Sequence, residues 1–284
     1  MGLRIQNNIE AFNTHRQLSA TSMQASKAME KLSSGYRINR AADDAAGLGI
    51  SEKMRGQISG LAQAQRNAQD GISLVQTAEG SLAEVHSMLE RVRDLKVQFN
   101  NGTLDTGGQE AIAAEVLEIS KEVSSIISET KFNGQALFGA TGFVFQVGAN
   151  QGETVSVSPV GLSGGIAAGG LSDLTSLAAS AVSATVAALS SGGLSDLGNL
   201  DKAIENVSKI RGQLGAVQNR LEHRLTNLAT YQENLTASES RIRDVDMAQE
   251  MTKFTKLNIL QQAGTSMLAQ ANQAPQGVLS LLKG

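Results

Sequence analysis

A chain of 284 residues can hold a sizeable core or two domains, yet only 3% of it is aromatic and it has no tryptophan, so Ala, Leu, Ile, Val and Met must supply the packing. The absence of cysteine excludes a disulfide frame and a thiolate metal site, and a formal charge of −3 gives no basic field for nucleic acid. The two prolines, Pro159 and Pro275, leave both halves free to run in long helices.

The first residues, MGLRIQNNIEAFNTHRQ, lack the apolar run of a cleaved secretory signal, and Gly2 lacks the hydroxyl at position 6 that myristoylation expects. From Ile5 to about Leu32 the spacing of Ile9, Phe12, Ala25 and Ala28 predicts a helix whose other faces carry Gln, Asn, Ser and Thr more than charge. Leu32–Ser51, LSSGYRINRAADDAAGLGIS, then concentrates arginines, aspartates and glycines and is expected to be a shaped connector.

A long bundle or coiled-coil helix follows, with Ile58, Leu61, Ala68, Ile72, Val75, Ala78, Leu82, Val85, Leu89, Val92, Leu95 and Phe99 at steps of three, four or seven. Asn100–Thr103 breaks it, Gly107 and Gly108 are read as keeping it broken, and a shorter helix is expected at about Gln109–Glu129. Phe132-Asn133-Gly134 is read as its stop. FVFQVG and TVSVSPV, within 143–160, alternate at the strand period and predict a β-hairpin. Residues 161–197, rich in Gly, Ala and Ser, are read as a surface loop with one short helix at most.

Helical spacing returns at about Asn199 and holds to Leu235, and a further stripe runs from Met247 to Leu281 after the charged patch Glu239–Asp246. Leu257–Leu282 carries no charged side chain, while its many Gln and Asn residues suit neither a membrane span nor a solvated surface. Buried amides are tolerable when bonded and buried charges are costly, so this helix is expected to lie among other protein helices. One chain has too little material to surround it, and copies of itself are the expected partners. The fold class read from the sequence is therefore mainly α: a long antiparallel helical bundle or coiled-coil rod formed by both termini, with a small β-hairpin region in the middle.

At these motifs the sequence closely resembles bacterial flagellin. The match lies in LSSGYRINRAADDAAGLGIS, in QRNAQDGISLVQTAEGSLAEV (Gln65–Val85), in FQVGANQGETVSV (Phe145–Val157), in ESRIRDVDMAQEM (Glu239–Met251) and in the run Ser266–Leu282. The resemblance is to a compact flagellin without large outer domains. It implies terminal helices at 1–33 and 245–284 forming an inner filament core and spoke connectors at 34–46 and 239–246. It further implies a rod domain at 47–160 and 198–238. Implied with these are a secreted structural subunit of the flagellum, passage unfolded through a type III export channel, and polymerisation into a helical homopolymer for swimming motility. The implied partners are the filament cap, hook-junction proteins and a flagellin export chaperone that holds the C-terminal helix. A hook–filament junction protein, which shares the terminal pattern, is the alternative.

Taken alone, Arg37, Arg40, Asp43 and Asp44 read as a solvated turn with an aspartate capping the next helix. The resemblance instead assigns Arg37, Asn39, Arg40, Asp43 and Asp44, with Arg241, Arg243, Asp244 and Asp246 opposite them, to charge-paired spoke contacts within and between subunits. It also implies that Arg91, Leu95 and Glu115 match positions read by a vertebrate innate-immune receptor, with Lys96 standing where a small residue is usual. Leu95 reads equally as bundle packing. His15, His86 and His223 are isolated, and no zinc, dinucleotide or P-loop motif occurs. No catalytic, cofactor, nucleic-acid or membrane role is expected.

Overall fold

The structure, a computed structural model, describes residues 8–138, 142–157, 185, 187, 189 and 197–283, the last ten of these as backbone only. Five long helices dominate the described residues: α1 Ile9–Ser34, α2 Ala45–Phe99, α3 Thr106–Glu129, α4 Leu197–Arg243 and α5 Met247–Lys283. Two short antiparallel strand pairs lie between α3 and α4: β1 (Lys131–Phe132) with β2 (Gln135–Ala136), and β3 (Phe143–Gln146) with β4 (Thr154–Val157). By its contacts the chain divides into two units, Met1–Gln57 with Glu233–Gly284, and Ile58–Gln232.

The second unit holds the main core. Val75, Leu82, Val85, Leu89 and Val92 of α2 pack with Ala113, Val116 and Val123 of α3 and with Leu200, Val207, Ile210 and Leu214 of α4. Polar cross-links fix the directions. Gln65 to Gln232, Glu79 to Arg211 and Arg93 to Asp201 climb α2 while descending α4, so the two helices are antiparallel. Arg91 to Glu115 and Ser81 to Thr130 set α2 antiparallel to α3 in the same way. The β3–β4 hairpin turns Phe145 and Val155 inward, where Val155 joins Ala68, Val147 and Leu221. Gly71 permits this seat, because a Cβ there would lie 3.3 Å from both Leu221 and Phe145.

The first unit has a much smaller core. Ala25 and Ala28 of α1 meet Leu257 of α5, with Phe254 packed beside them. A Cβ added to Gly264 would lie 3.2 Å from Leu18, so the two helices approach closely there too. At the far end of this antiparallel pair, Asn8 caps α1 by accepting from the Ala11 amide and donates to the Ala271 carbonyl of α5.

Local chemistry explains several departures from the sequence expectations. The connector is shorter than Leu32–Ser51: α1 runs to Ser34, Gly35 closes it at φ 75°, and Ala45–Ser51 already belong to α2. Within the second connector Glu239–Arg243 is helical, as the last turn of α4, since no Gly or Pro interrupts it and Arg241 and Arg243 suit the negative end of the helix. Gly107 and Gly108 lie inside α3, because Asp105 caps it by accepting the Gly108 amide. Asn133 and Gly134 do not stop that helix. Their φ values of 50° and 79° make the tight turn joining β1 to β2. The expected start of the first helix at Ile5 and most of the expected loop 161–197 lie outside the described residues. Within that stretch Thr185, Ala187 and Leu189 are helical, and Leu189 is buried in the main core.

Candidate functional site

The two connectors meet in the first unit through their backbones. Tyr36 and Asp244 form an antiparallel bridge, flanked by the Arg37 amide donating to the Arg243 carbonyl at 2.6 Å and the Val245 amide donating to the Gly35 carbonyl at 3.0 Å. The Arg37 guanidinium adds two bonds to the Ile242 carbonyl, at 2.6 and 3.2 Å. A helix C-terminus leaves its last carbonyls without helical donors and carries partial negative charge, so a cation there satisfies both needs. Arg37 is thus a cap for α4 supplied from the other connector.

Arg243 makes the complementary link. Its guanidinium lies 4.8 Å from the Tyr36 ring centroid and its Nη1 donates to Glu52 at 2.7 Å. The side chain is only 14% exposed, so both contacts are partly shielded from water. The hydrogen bond from Arg243, aided by the nearby charge of Arg55, holds the Glu52 carboxyl below the usual glutamate range.

The remaining connector charges serve the turn and the caps. Asp43 accepts the backbone amides of Arg40 and Asn39, and the bond from Arg40 is the main reason its carboxyl titrates below the usual aspartate range. The Asn39 side chain donates to Ser34 at 2.8 Å, and Arg40 pairs with Glu30 at 2.9 Å. Asp44 caps α2 by accepting the Gly47 amide, and Asp246 caps α5 by accepting the amides of Ala248 and Gln249. Arg241 reaches Ser238 on its own helix, and Asp244 enters the bridge through its backbone. The two connectors are therefore joined by arginine-to-carbonyl, backbone and stacking contacts, with aspartates ordering each side.

Tyr36, Glu52 and Glu30, all part of this junction, were not singled out from the sequence. Tyr36 is one of only two tyrosines and falls inside the connector, which was the available signal. Glu52 carried none beyond helical spacing from Arg55.

Beyond the junction, α1 and α5 leave large apolar side chains in solvent. Ile9, Phe12, Met23 and Met29 of α1 and Met247, Met251, Ile259, Leu260 and Met267 of α5 are all exposed, Phe12 by 72%. The buried cluster between the helices is Ala25, Ala28 and Leu257, with Phe254 packed beside it. The pair displays an apolar surface that further helices would cover.

In the second unit, Arg91 pairs with Glu115 at 2.6 Å on the surface, while Leu95 is 2% exposed and belongs to the core. Lys96 is buried beside it, donating to the Leu189 carbonyl with its Nζ 5.0 Å from the Phe99 ring centroid, and burial lowers its pKa. Among the described residues no group of three His, Asp or Glu side chains is placed to hold a metal, and no helix is long and apolar enough to cross a membrane.

Comparison with known proteins adds a second line. The family model for the bacterial flagellin N-terminal helical region matches residues 5–143, and that for the C-terminal helical region matches residues 197–282. A flagellin of Bacillus subtilis (strain 168) is 49% identical, with 99% of this chain and 100% of that protein covered. A flagellin of Halalkalibacterium halodurans is 50% identical over 98% of this chain and 99% of its own length. A flagellar filament 33 kDa core protein of Treponema phagedenis is 43% identical over 98% and 99%.

Proposed function

The chain belongs to the bacterial flagellin family, and from that premise we propose that the exposed faces of α1 and α5 are where copies of it pack together. It is a structural subunit of the flagellar filament; relatives named as flagellins or filament core proteins match it end to end, which does not favour a hook–filament junction protein. The observation that carries the packing proposal is the imbalance in the first unit: a core of Ala25, Ala28 and Leu257 beneath nine exposed large apolar residues named above.

In this reading residues 1–33 and 245–284 form the inner filament core and 34–46 with 239–246 form the spoke. Residues 47–160 and 198–238 then form the rod. Arg37, Asn39, Arg40, Asp43, Asp44, Arg241, Arg243, Asp244 and Asp246 act in the spoke by fixing the angle at which the terminal helices leave it. The bonds from Arg37 to Ile242 and from Arg243 to Glu52 support that role. Export in an unfolded state suits a chain with no cysteine and a terminal helix pair of small core. A secretion chaperone holding α5, a cap at the growing tip and hook-junction proteins at the base are the partners that such a life requires. For the innate-immune receptor, the exposed Arg91–Glu115 pair is the accessible part of the proposed surface, and Leu95 supports it from within the core.

Purified chain added to sheared filament seeds and followed by electron microscopy tests the proposal. Seeds should elongate with the intact chain, and Arg37→Ala should slow elongation or change filament shape while monomer helicity persists. Unchanged elongation after charged residues are placed at Phe12 and Leu260 would overturn it.

A further inference from the structure

The chain has eight methionines and no cysteine, so its oxidisable sulfur is all thioether. The methionines are distributed unevenly. Met23 and Met29 on α1 and Met247, Met251 and Met267 on α5 are exposed by 49–61%. Met54 is half-buried and Met88 packs against the main core. Met247 and Met251 stand one turn apart on the same face of α5. Met267 lines a groove between α1 and α5 together with Leu18, Leu260 and Gly264. The accessible sulfurs thus coincide with the apolar faces assigned above to subunit packing.

We propose that these five methionines form an oxidation-sensitive patch that makes the unassembled subunit, and not the assembled one, a target of two-electron oxidants. A peroxide transfers one oxygen atom to the thioether sulfur: the O–O bond breaks, an S–O bond forms, hydrogen peroxide is reduced to water and the methionine is oxidised to its sulfoxide. The product replaces a soft apolar tip with a strong hydrogen-bond acceptor. Seated against another apolar helix, that oxygen loses its water without gaining a donor. A dithiol acting through methionine sulfoxide reductases reverses the change, being oxidised to a disulfide with release of water. The proposal rests on the packing role given to α1 and α5. Its consequence is a quality check on assembly, in which a damaged monomer is rejected and an incorporated one is shielded.

The test uses the full chain and hydrogen peroxide. Monomer is oxidised, mapped by peptide mass spectrometry, and added to seeds in parallel with untreated monomer. Met23, Met29, Met247, Met251 and Met267 should oxidise before Met88, and elongation should fall by about tenfold or more. Treatment with methionine sulfoxide reductases for both sulfoxide epimers and dithiothreitol should restore it, and the same methionines in filaments should react more slowly. A protein carrying Met23→Leu, Met29→Leu, Met247→Leu, Met251→Leu and Met267→Leu should elongate equally with and without peroxide, whatever its own rate. Equal elongation of oxidised and untreated wild-type chain, or equal reactivity of the five in monomer and filament, would overturn the proposal. Failure of untreated chain to elongate seeds would remove the packing reading on which it rests.

Discussion

Asn8 donates its side-chain amide to the carbonyl of Ala271 at 2.6 Å across 263 residues of chain. The bond answers a particular deficit. Pro275 stands four residues after Ala271 and has no N–H, so the helical donor for that carbonyl is missing. Asn8 supplies it while its Oδ1 accepts the Ala11 amide and starts α1. One side chain therefore caps one helix and repairs the other.

Asn8→Ala should remove both bonds and cost about 1–3 kcal/mol in the α1–α5 pair. Asn8→Asp should keep the cap but set a carboxylate against the Ala271 carbonyl. It should therefore not recover the loss. Heat dissociation of filaments, compared across the three proteins, reads the difference; an Asn8→Asp filament as stable as the parent would show that the bond to Ala271 contributes nothing.

Acid should loosen the junction through Glu52. Its folded pKa lies below the unfolded one because Arg243 donates to the ionised form. The link is thus intact above the usual glutamate value and is lost as pH falls through the lower folded one. A carboxyl NMR titration should place the Glu52 midpoint below that of an exposed glutamate, and Arg243→Ala should raise it. A Glu52 midpoint unaffected by Arg243→Ala would contradict the pairing.

Two glycines in one helical turn should respond oppositely to alanine. A Cβ on Gly47 would lie 2.4 Å from the Asp44 carboxylate and 2.8 Å from Ile38, a residue that is 1% exposed. Both the α2 cap and the packing of Ile38 must give way, so Gly47→Ala should destabilise by about 1–3 kcal/mol. Gly49 has nothing within 4 Å, and Gly49→Ala should stabilise by about 0.5–1 kcal/mol through helix propensity. Denaturant midpoints of the two variants against the parent check the sign of each.

Much of this arrangement was legible in the sequence, for definable reasons. The helices of the main core announce themselves because Val75, Leu82 and Leu89 keep a heptad step that burial demands. The hairpin announces itself because Phe143 and Phe145 alternate with exposed neighbours. Gly107 and Gly108 were misread because Gly is generally a breaker, whereas a capping Asp105 makes it tolerable in a first turn. The helical state of Glu239–Arg243 is not legible from its charge density, although charged residues are good helix formers. The contacts that assemble the junction escaped almost entirely. Arg37 to Ile242 joins residues more than 200 positions apart, as Asn8 to Ala271 does at the far end of the helix pair, and both are made to backbone carbonyls that any residue type would supply.

Amide hydrogen exchange in monomer and in filament tests the central claim most directly: the terminal helices carry too little core to persist alone and are completed by other copies. Amides of Ile9–Ser34 and Met247–Lys283 should exchange rapidly in the monomer, while those of Leu82, Val116 and Val207 stay protected, and all should be protected in filaments. Equal, strong protection of both terminal helices in monomer and filament would contradict it.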